Sequence, residues 1–200
     1  TMRLGCPIEA VHRGEFGAQD KAQGVEPQSF DEVIFATHSD VTLGLLADPS
    51  EDETRLLGAV KYQPTEVVLH CDRSVMPKRE AVWASWNYCE SPAVRDGQID
   101  LTYWMNSLQP IPKDDPHFVT LNSNREIREE MIYDQVTLHH PVYDLAALDA
   151  QGGIRAMNGT RNTWFSGAWM KDGFHEDGLS SGLEVAEAIL ARETVAMAAE

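Results

Sequence analysis

The clearest strand in the hydrophobic pattern lies early, from Phe30 to Thr37. Asp31–Glu32 open it and Val33–Ile34–Phe35–Ala36 follow without polar alternation. A continuous run of that length predicts a central strand with both faces covered, as in an α/β sheet. A shorter run near the other end, Thr163–Trp164–Phe165, predicts a second buried strand. Between them the period changes to two. Ala81 to Tyr88 is strand-like, with Trp83, Ser85 and Asn87 alternating with Ala84, Trp86 and Tyr88. After the Asp96–Gly97 turn signal, Gln98 to Met105 puts Ile99, Leu101, Tyr103 and Met105 on one face. Glu66 to Asp72, Phe118 to Leu121 and the face Val136, Leu138, His140 supply further strands.

Helical periodicity is confined to four places. Asp40 is placed to cap a short helix over Val41 to Leu46, which Asp48–Pro49 ends. Ser50 with Glu53 three residues on has capping-box spacing and predicts a helix from about Pro49 to Val60. Asp144 to Gln151 reads as helix up to a break at Gly152–Gly153. The last helix carries an apolar stripe of Leu183, Val185, Ala186, Ile189 and Leu190, with Ser180 or Ser181 as its cap and Glu184 at the capping-box position. At the start of the chain, Leu4 to Val11 is a strand interrupted by Pro7, which suits an edge. Arg13 to Ser29 shows no period and reads as loop or hairpin tip.

These elements define an α+β chain. An antiparallel sheet occupies the middle, about residues 48–152, and strand and helix pieces of α/β character occupy the ends, about 1–47 with 153–200. The 200 residues suffice for one sizeable domain or two small ones. A hydrophobic fraction of 42% and a charged fraction of 24% are those of an ordinary globular chain. A net charge of −16 argues against a general nucleic-acid or anionic-membrane binder, which needs Lys and Arg for phosphate. No apolar run reaches the roughly 20 residues that a membrane span requires. The first residues, Thr1 to Cys6, lack the layout of a secretory signal, and Cys6, Cys71 and Cys89 are widely spaced without C-x-x-C pairing. A reducing cytoplasm is the expected setting.

The stretch that carries chemistry is Asn162 to Leu190: strand, then Ser166–Gly167–Ala168, then a polar loop from Lys171 to Gly178, then a helix start. Unpaired N–H groups at such a start suit an electron-rich ligand oxygen. On the residues alone, a ligand site and a plain glycine-bounded loop both fit. His139–His140 and His175–Glu176–Asp177 are too far apart in sequence, and have no H-x-x-x-H spacing, to define a metal site. Trp83, Trp86, Tyr88, Tyr103 and Trp104 fit either cross-strand packing or a cavity wall.

Gly173–Phe174–His175–Glu176–Asp177–Gly178 with Ser181–Gly182, together with Phe30–Thr37 and Trp83–Tyr88, resembles bacterial FAD-dependent amine-oxidase-like flavoproteins, the predicted NAD/FAD-binding proteins. The resemblance implies that the strand ending in Phe165 leads to a helix whose first N–H groups face the flavin pyrimidine ring. It implies flavin contacts at Gly167, Ala168, Asp177, Gly178, Leu179 and Ser180. It also implies a substrate cavity drawing on Trp83, Trp86, Trp164, Trp169 and His175, for a small and possibly apolar substrate. Phe30 to Thr37 would belong to the dinucleotide-binding domain and residues 48–152 to the substrate domain. The family's flavin-side lysine has no assignable counterpart, Lys61 being a candidate by region only, so the catalytic residues are left open.

A complete protein of that kind needs a Gly-x-Gly-x-x-Gly turn after its first strand, to let the backbone approach the pyrophosphate. The sequence has none. The expectation is therefore a C-terminal fragment of an FAD-dependent oxidoreductase, inactive alone, holding FAD only in its longer parent. As a fragment it would self-associate into a homodimer or larger, because it exposes what its missing half should cover. The alternative is a non-catalytic binding or interaction module on the same fold.

Overall fold

The computed structural model describes residues 1–89 and 100–198, excepting the side chains of residue 193 and of 195–198. The Asp96–Gly97 turn and the Gln98–Ile99 start of its strand lie outside the described residues. In chain order the elements are β1 (Ile8–Gly14), β2 (Gly17–Ala22), β3 (Gln28–Phe30), β4 (Val33–Phe35), α1 (Ser39–Leu45) and α2 (Glu51–Leu57). Then come β5 (Lys61–His70), β6 (Trp86–Cys89), β7 (Asp100–Trp104), α3 (Met105–Leu108), β8 (Phe118–Leu121) and β9 (Ile132–Val142). α4 (Leu145–Met157), β10 (Thr163–Phe165) and α5 (His175–Ala198) complete the chain. The fold class is α+β, with a five-stranded sheet in the order β6-β7-β8-β5-β9 and strand–helix pieces from both ends. Two compact units result: Thr1–Tyr62 with Pro141–Glu200, and Gln63–His140.

In the first unit β4 and β10 pair in parallel, Val33 opposite Thr163 and Phe35 opposite Phe165. The strand is shorter than its apolar run, and Ile34 is 52% exposed, so one face of β4 is uncovered. Phe35, Phe165, Leu57, Ile154 and Trp169 form the core against α2 and α4. Arg13 to Ser29 is not loop: it forms most of an antiparallel meander, β1-β2-β3. Its signal is weak because the inward residues are Ala18 and Ala22, small side chains that hardly stand out from their polar neighbours. The same meander seats the buried Arg13, whose guanidinium reaches Glu53 and Asp48.

The capping box at Ser50 and Glu53 forms as the spacing predicts. α1 instead begins after His38, and Asp40 lies in its first turn. The Gly152–Gly153 break does not occur. α4 runs through both glycines to Met157, capped by Asp144, whose carboxylate accepts the Ala147 N–H at 2.8 Å. Gly153 marks close packing, since a Cβ there would come within 2.9 Å of a Leu56 methyl. In the second unit β6 starts only at Trp86, because Glu80–Val82 forms a 3-10 turn and the Trp83 indole donates to Pro77 O at 2.7 Å.

Candidate functional site

Parallel strands that end side by side leave their carboxyl ends open for ligands, where α/β sheets bind them. β4 runs out into Ala36–Thr37–His38 and β10 into Ser166–Gly167, with the Ser166 N–H still donating to Phe35 O at 2.9 Å. Gly167 is required by a neighbour: a Cβ would meet Trp169 Nε1 at 2.5 Å. The indole lies there because Trp169 Nε1 donates to Thr37 O at 3.0 Å, tying the two strand ends together. Ser181, placed by its spacing as a cap, pins the turn instead. Buried at 2% exposure, its hydroxyl accepts the Gly167 N–H at 2.9 Å and donates to Gly178 O at 2.8 Å.

α5 starts earlier than Ser180. The Asp177 carboxylate accepts the Phe174 N–H at 2.9 Å, and the N–H groups of Asp177 and Gly178 donate to Phe174 O at 3.0 and 3.2 Å. Helix geometry thus leaves the foremost N–H groups at His175 and Glu176 rather than at Leu179 and Ser180. Local hydrogen bonding by Asp177 outcompeted the serine caps. Ala168 packs on Gly178, with 3.8 Å from the alanine methyl to where a Gly178 Cβ would stand. Lys171 Nζ donates to Ser180 Oγ at 2.5 Å and to Glu184 at 2.6 Å, fixing the loop to the helix. Gly167, Ala168, Asp177, Gly178 and Ser180 therefore share one neighbourhood, and Leu179 beside them is 59% exposed.

The tryptophans divide. Trp169 belongs to this neighbourhood. Trp164, on the same strand as Phe165, is buried against Gly159, donates to Glu32 Oε2 at 2.7 Å and lies under Arg192. Arg192 is about 25 Å along the helix axis from His175, so Trp164 stands apart from the α5 start. In the second unit Trp83 packs edge-on against Trp104 and Phe118, and Trp86 edge-on against its register partner Tyr103. Lys61 reaches Asp144 at 4.0 Å across exposed surface.

The sequence reading missed three residues around the same strand ends. Tyr62 accepts the Ser39 N–H at 2.8 Å, donates to Ser39 Oγ at 3.2 Å and stacks on His38 at 4.4 Å. Tyr143 places its hydroxyl against Gly173, where a Cβ would stand 2.5 Å from the oxygen and φ is 95°. That hydroxyl is buried and has no hydrogen-bond partner among the described residues. Burial first, then Tyr62, Asp177 and Asp172, push the Tyr143 hydroxyl up to about 12, so it stays protonated. Nothing periodic marks Tyr143; its only sequence sign is its place just ahead of the Asp144 cap.

The fold of the chain recurs in solved structures with an amine-oxidase-like fold. Putrescine oxidase, in a triple mutant made to redesign its cofactor binding, superimposes with a TM-score of 0.62 at 15% identity, over 94% of this chain and 48% of that one. Wild-type putrescine oxidase bound to putrescine gives 0.61 at 15% identity, over 93% and 48%. A fatty acid isomerase from P. acnes that produces CLA gives 0.60 at 13%, over 92% and 47%. The chain thus spans about half the length of these structures. No family model matches the sequence, and no curated protein matches it.

Proposed function

We propose that this chain is the C-terminal part of an FAD-dependent oxidoreductase of the amine oxidase type, contributing the ring-facing wall of a flavin site and the sheet of a substrate domain. The observation that carries this reading is the joint of β4, β10 and α5 at Gly167, closed by Ser181, in a fold that covers about half of putrescine oxidase. Residues 1–62 with 141–200 would be the FAD-binding part and 63–140 the substrate part. Among the described residues β4 is hydrogen-bonded on one side only, to β10, in a two-stranded sheet. Beside it lies a cleft of about 280 Å³ lined by apolar groups such as Val11, Phe30, Ile34 and Leu45. That open edge is where the first strand of a glycine-turn unit would pair.

The residues present fit a planar ring that accepts hydrogen bonds. Gly167 and Gly173 keep side chains out of the turn, and the α5 start offers the His175 and Glu176 N–H groups. FAD, when bound, supplies a ring that takes a hydride from substrate. The chain's own groups would orient that ring: Gly167, Ala168, Gly178 and Ser180 by shape and backbone, Asp177 by fixing the helix start. Trp169 would hold the two strand ends at one spacing rather than wall the substrate. A small, apolar substrate is the proposed partner, and no residue is assigned as its base.

A paired titration tests this. Adding the chain to dilute FAD and to dilute riboflavin should quench both with weak and nearly equal affinity, because the ring is recognised and the phosphates are not. FAD bound a hundredfold more tightly would mean that the chain grips pyrophosphate itself, and the fragment reading would be wrong. No quenching of either would favour an interaction module without flavin.

A further inference from the structure

β9 ends the five-stranded sheet: among the described residues it pairs with β5 and with no strand beyond. Such an edge offers a row of unpaired N–H and C=O groups to any strand that can lie beside it. Proteins usually blunt it with lysines, a proline or a short length. The middle of β9 has none of these guards. The strand runs for 11 residues, Ile132–Val142, with no Lys or Arg, one carboxylate at Asp134 and its single proline at Pro141, near the end. Tyr133 to His139 are all exposed, which leaves room for a neighbouring strand. Large apolar groups stand among them, with Tyr133 at 54%, Val136 at 45% and Leu138 at 46% exposure.

The side-chain pattern of β9 says which strand fits. Alternate residues share a face, so Asp134, Val136, Leu138 and His140 lie on one and Tyr133, Gln135, Thr137 and His139 on the other. Two copies of β9 laid antiparallel about a two-fold axis normal to the sheet keep like faces together, and the axis then passes through one residue. Centred on Thr137, the pairing sets Val136 of each copy opposite Leu138 of the other, and Asp134 opposite His140. Apolar meets apolar twice, and the acidic side chain meets an imidazole and not a second carboxylate. Centring on Val136 would set Asp134 against Leu138, and centring on Leu138 would set Val136 against His140. We propose that β9 is the interface of a homodimer, in which a second copy of the chain extends the sheet antiparallel through Thr137. Each copy uses its β9 edge once, so assembly through this edge closes at two. The proposal does not rest on the flavin reading.

Mass and crosslinking test it on the chain itself. At physiological salt, which screens the repulsion between two copies of net charge −16, sedimentation equilibrium should give about twice the 22.3 kDa of one chain. Val136→Lys with Leu138→Lys should return the mass to that of one chain without lowering the unfolding temperature, since both positions are exposed. Under mild oxidation Thr137→Cys should form a disulfide-linked dimer, because its two Cβ atoms would stand about 4.5–5.5 Å apart across the axis. Gln135→Cys should not, since the same register separates its two copies by about 13 Å. The wild type, with Cys6, Cys71 and Cys89 free, sets the background. A monomeric wild type overturns the proposal, and so does a dimer that the lysine pair leaves intact. If the lysine variant fails to fold, the crosslinks decide alone, and a Gln135→Cys dimer as abundant as the Thr137→Cys one overturns the pairing. None of these failures touches the flavin titration, which stands or falls separately.

Discussion

Arg13→Met is expected to destabilise the chain by about 3–5 kcal/mol, the usual cost of leaving one charge of a buried pair unpaired. The Arg13 side chain is fully buried and Glu53 nearly so. Arg13 contacts both Glu53 oxygens, with Nη2 2.9 Å from Oε2, and adds Nε to Asp48 at 3.1 Å and Nη2 to Asp48 O at 3.0 Å. Burial alone would push the Glu53 carboxyl up, but the Arg13 and Ser50 hydrogen bonds bring it down to about 2. Without Arg13 the carboxylate keeps the Ser50 N–H at 2.8 Å and a longer ion pair with Arg161 at 3.9 Å. The consequence reaches the candidate site, because Thr163, which opens β10, lies 3.4 Å from the same guanidinium. Urea unfolding at neutral pH measures the loss, and adding Glu53→Gln to the variant should restore a good part of it. A loss under about 1 kcal/mol would show that the pair is solvated rather than buried.

The second large effect is a loss of stability in mild acid. His70 is fully buried in the five-stranded sheet, with Nε2 2.7 Å from Thr120 Oγ1 and Nδ1 accepting the Asp72 N–H at 3.1 Å. That pairing fixes the neutral ring with its proton on Nε2. Burial pulls its pKa down to about 4; the Asp72 carboxylate opposes this and Arg125 reinforces it. Because the folded value lies below the ordinary 6.5, the stabilisation is complete above pH 6.5 and drains away as pH falls towards 4. The ceiling is about 3 kcal/mol for such a difference. Urea midpoints from pH 8 to 4.5 should therefore fall in the wild type and flatten in His70→Gln. A wild-type profile flat over that window would contradict the buried neutral ring. Glu53 titrates later, its contribution being lost only below pH 4.5.

Much of this fold is written locally. The Ser50–Glu53 box forms where spacing places it because its partners are three residues apart, and the Phe118–Leu121 and Thr163–Phe165 strands form where their short apolar runs place them. What the sequence hid was set by distant partners. Gly153 reads as a breaker until Leu56 is seen against it, and Ser181 reads as a cap until Gly167 is seen above it. The meander at Ala18 and Ala22 was hidden for the opposite reason, since small inward residues barely mark a period. Around the candidate site, the glycines and Asp177 were legible as a motif. Tyr143, Tyr62 and His38 were not, because their relation to the α5 start exists only once β4, β10 and α4 have brought them together.

The central claim is that this chain is the ring-facing part of a larger flavoprotein. It is tested most directly by recovering the protein from the cells that make it, with an antibody raised against this chain, and measuring its mass and visible absorbance together. The account predicts a polypeptide about twice this length carrying bound flavin. A product of about this length without flavin absorbance would contradict it.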